Sequence, residues 1–502
     1  MALKLKEEHG FEPIYWNGYD DDDSKNIVPQ YFPDAIYHSY YDAWKGVFPN
    51  AISNKFAESH IDIDFLRDYA SYELQAIKMM DRMDPDRHSF SFSERQRHFR
   101  NMLKYWTACI DEIKPDLVIS SIVPHRVYDY ILYLLCKFRK IKYITFRETA
   151  FSGRIIAVES IANLGDILDE QYERILNSKV NSQIIKEEIG NDILDRFNKV
   201  QKDYDLAEPD YMKQHIIDHK FSSTIFGLTK KFFIDAVQQK DRYFGKKGFL
   251  IKGIPTYFKK RNKSIEKSYV NLLGYSIRKL KANSYKKKLK EYYRLNTSKP
   301  NLNVPYVIFT LHYQPEMTSN PSGGIFVDQM LCIDILSRYL PSNYLIYVKE
   351  HPAQFYSHQE GHTGRIQEFY DDLKRNPKVR LIPLEYDTFS LIKNSVGVAT
   401  ITGTSGWEAM VLGKPVICFG LSWYEKYNGV LKITDEKSGS QIQNFIENFK
   451  FNEKDLLAYL YAFSKISIKA YFYRGLKEKM NQPEEECIEN LVNSIIRTAE
   501  NE

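Results

Sequence analysis

Short apolar runs alternate with longer amphipathic stretches along the C-terminal part of the chain. Pro305–Leu311 (PYVIFTL), Tyr344–Lys349 (YLIYVK), Val379–Ile382, Val396–Ile401 (VGVATI) and Pro415–Phe419 carry side chains suited to strands buried on both faces. Between them a helical period predicts helices over Ile325–Leu340, about Arg365–Arg375 and Ser405–Leu412. A shorter helix is predicted to run to Asn394 with Asp387 as its cap, and Gly413 suits the position just past the end of the Ser405–Leu412 helix. Strands alternating with helices in this way predict a parallel, doubly wound sheet.

The N-terminal half has the same grammar. Asp116–Val123 reads as a buried strand, Val127–Lys140 as a helix with Lys137, Arg139 and Lys140 in its last turn, and Lys142–Phe146 as the next strand, together a βαβ unit. The expectation is an α/β chain of two Rossmann-like domains. Residues 1–180 form the first, 181–300 a helical and basic connection, 301–470 the second, and 471–502 helices that pack back on the first. Ligands should bind at the carboxyl ends of the strands. Residues 2–9 look like the end of a helix and Phe11–Trp16 like the strand after it, without the strand and loop that normally open such a domain. Two expectations follow: a reading frame that starts late at an internal Met, or a short helix packed on a smaller sheet.

Length and composition narrow the class. At about 150 residues per domain, 502 residues suggest two or three domains, and 43% hydrophobic residues exclude a disordered chain. The five cysteines are scattered without a CxxC pair, which argues against a disulfide framework or a zinc knuckle and fits a reducing cytosol. The charged start lacks a signal-peptide core, and apolar stretches such as Tyr130–Cys136 are far shorter than the roughly 20 residues of a spanning helix. A cytoplasmic location is the expectation.

Charge placement matters more than its sum of +5. Lys230–Pro300 holds 21 Lys and Arg against four Asp and Glu, a local excess of 17, so the rest of the chain carries a net −12. Tyr257, Tyr269, Tyr275, Tyr285 and Tyr292 interleave with this charge. The segment 230–300 reads either as a contact for a polyanion or an anionic membrane surface, or as a solvated linker.

Three motifs fall at predicted strand ends. In Ile401-Thr-Gly-Thr-Ser-Gly-Trp-Glu-Ala409, the amides of Thr402, Gly403, Thr404, Ser405 and Gly406 at a helix start suit a phosphate, and Glu408 suits ribose hydroxyls. The same residues also read as a capped turn, and no Walker loop exists in the chain. Lys349-Glu-His351-Pro352 puts a histidine after the second strand, stiffened by proline. His312, Gln314 and Glu316, followed by Ser322-Gly-Gly324, line the first strand's end and suit a sugar. In the first domain His125 and Glu148 follow strands, where a general base belongs, and Arg147 and Arg154 suit an anionic acceptor. His358 and His362 have metal-like spacing but lie in a loop, so no metal is expected. No nucleic-acid module is recognised, so no nucleic acid is expected as a partner.

Together these motifs resemble the bacterial capsule polysaccharide biosynthesis family, which includes the β-Kdo transferases. The matching elements are His312-Tyr-Gln-Pro-Glu316, Val348-Lys-Glu-His-Pro352, Thr402-Gly-Thr-Ser-Gly-Trp-Glu-Ala409 and Gly413-Lys-Pro-Val-Ile-Cys-Phe-Gly-Leu-Ser-Trp-Tyr424. Likeness is good over Val304–Val430 and looser over Pro115–Ile161, where Phe146-Arg-Glu148, Arg154 and Glu159 depart in spacing from the family's acidic-then-arginine stretch. The resemblance implies a GT-B-like architecture with two domains facing across a cleft. It also implies metal-independent, inverting transfer from a nucleotide-sugar donor to a glycan or lipid-linked acceptor, with no cofactor. His351 then holds the donor phosphate with the Thr402–Gly406 loop, and Glu148 or His125 acts as base. Two alternatives stay open: a CDP-polyol phosphotransferase, and a non-catalytic glycan-binding assembly subunit.

Overall fold

The computed structural model describes residues 1–19, 22–52, 59–84, 90–151, 153–162, 164–178, 182–202, 254–261, 264–270, 272–471 and 482–500. The basic residues of 230–253 lie outside these, as does most of the polar stretch from Gln183 to Asp241. The chain forms two compact units, one of Met1–Ile167, Phe258–Glu266 and Ser464–Glu502, the other of Leu168–Tyr257 and Lys267–Phe463. Each carries a sheet with parallel strands and packed helices, the two-domain α/β class read from the sequence pattern.

In the first unit, helix α1 (Ala2–His9) ends at Gly10, whose φ of 71° needs a residue without Cβ. Strand β1 (Tyr15–Gly18) starts later than the Phe11–Trp16 expectation, because Pro13 interrupts that run. It pairs in parallel with β2 (Ile36–Ser39), which leads into helix α2 (Tyr40–Lys45). The long helix α3 (Phe92–Ile113) opens with a Ser91–Glu94 capping box. Strand β3 (Leu117–Ser120), helix α4 (Val127–Arg139) and strand β4 (Lys142–Glu148) form the expected βαβ unit, β3 and β4 being parallel.

The sheet then departs from a Rossmann pattern. Strand β5 (Arg154–Val158) returns antiparallel to β4 after a tight turn at Gly153, and the short strand Ile468–Lys469 pairs antiparallel to β5. The four-stranded sheet is therefore mixed, because a five-residue connection permits a hairpin but not a crossover. Leu5 of α1 and Cys487 and Leu491 of the C-terminal helix Glu484–Glu500 bury against Ile144, Phe146 and Ile155.

Within 254–270, where a helical connection is expected, strands β6 (Ile254–Arg261) and β7 (Ser264–Val270) form a two-stranded sheet. Alternating β-branched, aromatic and charged residues favour extended backbone there.

The second unit is built on six parallel strands: β8 (Tyr306–Thr310), β9 (Leu345–Lys349), β10 (Val379–Ile382), β11 (Gly397–Thr400), β12 (Val416–Cys418) and β13 (Val430–Lys432). They lie in the order β10-β9-β8-β11-β12-β13, so the topology reverses between β8 and β11. Register sets Thr310 beside Lys349 and Thr400 beside Cys418, aligning the carboxyl ends. The helices used below are α5 (Asn191–Lys202), α6 (Leu272–Leu295), α7 (Gln329–Tyr339), α8 (Gln367–Arg375), α9 (Thr388–Asn394) and α10 (Thr404–Val411). Val307, Phe309 and Val348 of the sheet pack with Leu336 of α7 and Tyr370 of α8 in its core.

Two details differ from the sequence pattern. The helix expected over Ile325–Leu340 is a 3-10 turn, Gly324–Val327, followed by α7, because the Asp328 side chain caps the Met330 amide at 3.0 Å and restarts the helix. Strand β13 gives no signal in the sequence, because its three half-buried residues carry no period.

Candidate functional site

The loops after β8 and β11 meet at the topological switch point. Thr400, the last residue of β11, accepts from the Gly403 amide at 3.0 Å, and its hydroxyl lies 3.1 Å from His312 Nε2. That same nitrogen accepts from the Thr402 amide at 3.3 Å. A nitrogen that accepts from a backbone amide carries no proton, which assigns the His312 proton to Nδ1, 3.4 Å from the Thr318 hydroxyl. Thr318 in turn donates to Glu316 at 2.8 Å. Burial, then the neighbouring His351 and Arg365, push the His312 pKa down to about 3, so the ring stays neutral. His312 and Glu316, expected at a sugar, are thus joined in a chain that holds the Thr402–Gly406 loop.

This bonding changes which groups of the loop face a ligand. The Thr402 and Gly403 amides are taken by His312 and Thr400, and the Gly406 amide by the Gly403 carbonyl at 3.1 Å. Gly403 caps α10 without a side-chain bond. Among the described residues, the amides of Thr404 and Ser405 have no protein acceptor, and they stand at the positive end of the α10 dipole. The glycines also serve a purpose other than the expected approach of a phosphate. A Cβ on Gly403 would stand 2.7 Å from Thr400 Oγ1, and one on Gly406 would run into the Tyr424 hydroxyl, which donates to the Gly403 carbonyl at 2.5 Å. Ser405 Oγ lies 2.7 Å from Thr310 Oγ1, tying α10 to β8.

Glu408 lies inward, one turn along α10, rather than at an open edge for ribose. The Thr404 hydroxyl bonds its carboxyl, and Arg196 of α5 is near enough to lower its pKa, but burial dominates and lifts it to about 7.

The loop after β9 is clamped by a buried ion pair that no motif announced. Arg365 Nε donates to Glu350 Oε2 at 2.8 Å, and the remaining guanidinium nitrogens reach Gln314 Oε1 (2.9 Å), the His312 carbonyl (3.0 Å) and the Gly364 carbonyl (3.1 Å). Glu350 also accepts from Tyr370 Oη at 2.8 Å and from the His351 amide at 2.8 Å. Gln314 and Gln354 exchange backbone-to-amide bonds at 3.0 Å each. Gln314, expected at a sugar, therefore belongs to the clamp.

His351 caps the 3-10 turn Pro352–Phe355, its Nδ1 accepting from the Ala353 amide at 3.1 Å, and Pro352 sits at the first position of that turn. The ring proton is thereby assigned to Nε2. Helix α6 supports the same loop from behind. Buried Lys286 donates to the carbonyls of Tyr356 (2.7 Å), Ser357 (3.1 Å) and Gln359 (2.7 Å), and Lys279 pairs with Glu360 at 2.6 Å. Part of the basic segment is thus spent on internal bonds. Lys349 is not brought to the Thr402–Gly406 loop. Its ammonium donates to Thr388 at the start of α9, after edge strand β10, and burial lowers its pKa to about 8.

In the first unit, His125 Nδ1 donates to the Val123 carbonyl at 2.8 Å, leaving Nε2 as the unprotonated nitrogen. Burial, then Arg82, depress its pKa to about 4. Glu148 is exposed at the end of β4. Arg147 and Arg154 are buried rather than displayed, bonding the Ile161 carbonyl (2.8 Å) and Ser467 Oγ (3.1 Å). They face inward because paired strands put both residues on the covered part of the β4–β5 hairpin. Among the described residues no cluster of three or more His, Cys, Asp or Glu side chains is arranged for a metal ion, and no helix is long and apolar enough to cross a membrane.

A parallel sheet that reverses between β8 and β11, with open amides on the helix after β11, defines a Rossmann-type α/β protein with an anion-receptive switch point. The chain belongs to the family described as capsule polysaccharide biosynthesis protein, whose model matches residues 211–473. It is 34% identical over 98 residues to the capsule polysaccharide modification protein LipA of Neisseria meningitidis serogroup A, covering 20% of this chain and 13% of that one. The serogroup B LipA is 33% identical over 79 residues, or 16% and 10% of the two chains. The match thus spans about an eighth or less of these relatives' length. Among solved structures, the β-Kdo 2,7 transferase KpsC of Thermosulfurimonas dismutans matches at 19% identity over 42% of this chain and 61% of its own, with a TM-score of 0.23. The UDP-GlcNAc 2-epimerase of Methanocaldococcus jannaschii matches at 12% identity over 72% and 77%, with a TM-score of 0.23.

Proposed function

We propose that this chain is a glycosyltransferase that moves a sugar from a nucleotide-sugar donor to a capsular or surface polysaccharide or a glycolipid acceptor. Membership of the capsule family supports the substrate class. The observation that carries the reading is the open start of α10, where no acceptor among the described residues meets the Thr404 and Ser405 amides at the switch point. His351 joins them as a neutral ring with its proton on Nε2, suited to a phosphate oxygen.

In this reading the acceptor hydroxyl attacks the anomeric carbon as the bond from that carbon to the nucleotide oxygen breaks, inverting the centre. The His351 N–H and the two amides take up the charge on the departing diphosphate or monophosphate. Each such donor contributes about 3 kcal/mol to the barrier reduction. The acceptor proton passes to a general base, for which His125 through Nε2 and the exposed Glu148 are the candidates. The reaction is read as needing no metal, since protein donors meet the phosphate charge. Exposed Lys281, Lys287, Lys288 and Lys290 of α6, beside exposed Ile277 and Leu280, support attachment to the anionic inner face of the plasma membrane.

Hydrogen exchange on the full chain, with CMP, CDP, UDP or GDP added, tests the reading. Protection of 351–355 and 402–406 by one pyrimidine nucleotide is the expected result. No protection by any of the four would overturn it. Turnover of a CDP-polyol instead of a nucleotide sugar moves the assignment to phosphotransfer.

A further inference from the structure

Helix α6 meets the loop after β9 along one edge. Lys279, Lys286 and Tyr293 recur every seven residues, a spacing that keeps them on one face of a helix. The Tyr293 hydroxyl accepts from the Glu350 amide at 3.0 Å and donates to the Ile382 carbonyl at 2.6 Å. Lys286, 1% exposed, spends its ammonium on the carbonyls of Tyr356, Ser357 and Gln359, and Lys279 pairs with Glu360. Tyr285 adds a bond to the Arg365 carbonyl at 3.1 Å. The turn that carries His351 is therefore bracketed by α6, at Glu350 before it and at Tyr356–Glu360 after it.

The opposite face of α6 has another character. Ile277, Leu280 and Leu295 are 45%, 49% and 66% exposed, and exposed Lys281, Lys287 and Lys288 lie among them at spacings of three, four and seven residues. Among the described residues these three lysines have no carboxylate partner, and Glu291 of the same face is taken by Arg294 at 2.6 Å. Apolar side chains between ammonium groups seat a helix on an anionic bilayer, the apolar tips at the acyl boundary and the ammonium groups on headgroup phosphates. A soluble polyanion would use the lysines and leave the three apolar residues in water. The two faces are linked by charge, because the helix carries lysines on both and like charges weaken it. Burial, then Lys279, lower the Lys286 pKa to about 8, with Glu360 opposing. Negative charge laid on the outer face, across about 10 Å of helix, steadies both the helical backbone and the charged form of Lys286.

We infer that α6 couples an anionic bilayer on its outer face to the order of the His351 loop on its inner face. That the ordered loop then serves donor binding rests on the transferase reading. The coupling itself does not. Linkage makes the effect reciprocal: a nucleotide bound more tightly on the bilayer tightens bilayer binding by the same factor.

The test follows hydrogen exchange of the full chain, without nucleotide, on vesicles of equal parts phosphatidylglycerol and phosphatidylcholine, with pure phosphatidylcholine as the neutral control. The anionic vesicles should bind and slow exchange in 351–360 by about fivefold or more, the lower end for coupled sites. Replacing the outer lysines together (Lys281→Glu, Lys287→Glu, Lys288→Glu) should abolish both binding and slowing. Lys286→Met, and the milder Lys279→Met, should still bind the vesicles but lose the slowing. No binding to anionic vesicles, binding with unchanged exchange in 351–360, or slowing that survives both inner-face variants overturns the coupling. Slowing by heparin but not by vesicles overturns the bilayer as occupant. Protection of 402–406 by CMP, CDP, UDP or GDP, followed in the same samples, separates the two conclusions. Nucleotide protection with no vesicle effect on 351–360 keeps the transferase reading and removes the coupling. A vesicle effect without any nucleotide protection does the reverse.

Discussion

Arg365 and Arg126 both sit at the carboxyl ends of strands, one in each unit, and their surroundings are opposite. Arg365 is buried and bonds to Glu350, Gln314 and two carbonyls, so its charge is neutralised and its geometry spent on joining the loops after β8 and β9. Arg126 lies half-buried on the rings of Tyr40 and Trp44, hydrogen-bonded to Tyr128 and close enough to buried Asp129 to lower its pKa. A guanidinium costs several kcal/mol to desolvate, and only a hydrogen-bonded partner offsets that inside a core. A stacked, half-wet guanidinium incurs little of this cost. The difference separates an arginine fixed by a buried ion pair from one held half-exposed on ring faces.

The largest expected effect breaks the clamp. Arg365→Met leaves Glu350 buried without its cation and should lower the stability of the second unit by about 3–5 kcal/mol in calorimetry. Arg126→Gln should change stability by less than about 0.5 kcal/mol. If the two variants melt alike, the contrast between the arginines is wrong.

Next in size is catalysis. His351→Ala should reduce sugar transfer roughly 10²- to 10³-fold, the range for losing one positioned donor. It also loses the cap on the Pro352–Phe355 turn, worth about 1 kcal/mol. His351→Asn, which keeps a cap acceptor, should recover the stability while transfer stays low. Recovery of both would make His351 a capping residue alone.

A pH titration sharpens the view of what lies beneath α10. Glu408 has a folded pKa of about 7 against 4.5 unfolded, so the folded state binds a proton more tightly. Its contribution is fully present below pH 4.5 and is lost as pH rises through 7, a decline on the order of 3 kcal/mol. Glu408→Gln should flatten that part of the stability profile. An unchanged slope would mean that the carboxyl is better solvated than its burial indicates.

The smallest of these effects concerns the loop's glycines. Gly406→Ala drives a methyl into the Tyr424 hydroxyl and should cost about 1–3 kcal/mol. Adding Tyr424→Phe should recover part of it. Full tolerance of the alanine would return Gly406 to the role of admitting a phosphate.

Most strands of the second unit were readable because a strand covered on both faces is apolar along its whole length, as in Tyr306–Thr310 and Leu345–Lys349. Asp387 was readable as a cap because its side chain bonds the Phe389 and Ser390 amides, a strictly local act. The antiparallel return of β5 was not, since the five apolar or buried residues Arg154–Val158 carry no period that separates a strand from a loop packed on the core. The same holds for function. His351 and the Thr402–Gly406 segment stood out as motifs, yet their neighbours across the sheet redefined them. His312 absorbs one loop amide, Thr400 another and the Gly403 carbonyl a third, which narrows five candidate amides to those of Thr404 and Ser405. Arg365, 15 residues beyond Glu350, had no signal in spacing.

By itself the sequence determined the α/β class, the positions of the loops that carry chemistry and the uneven placement of charge, because these depend on local periodicity and composition. Only the tertiary structure decided which polar groups are already satisfied. Hydrogen bonds and ion pairs between strand ends far apart in sequence bury Arg365, Glu408, Arg147 and Arg154 and leave Arg126 on its aromatic floor.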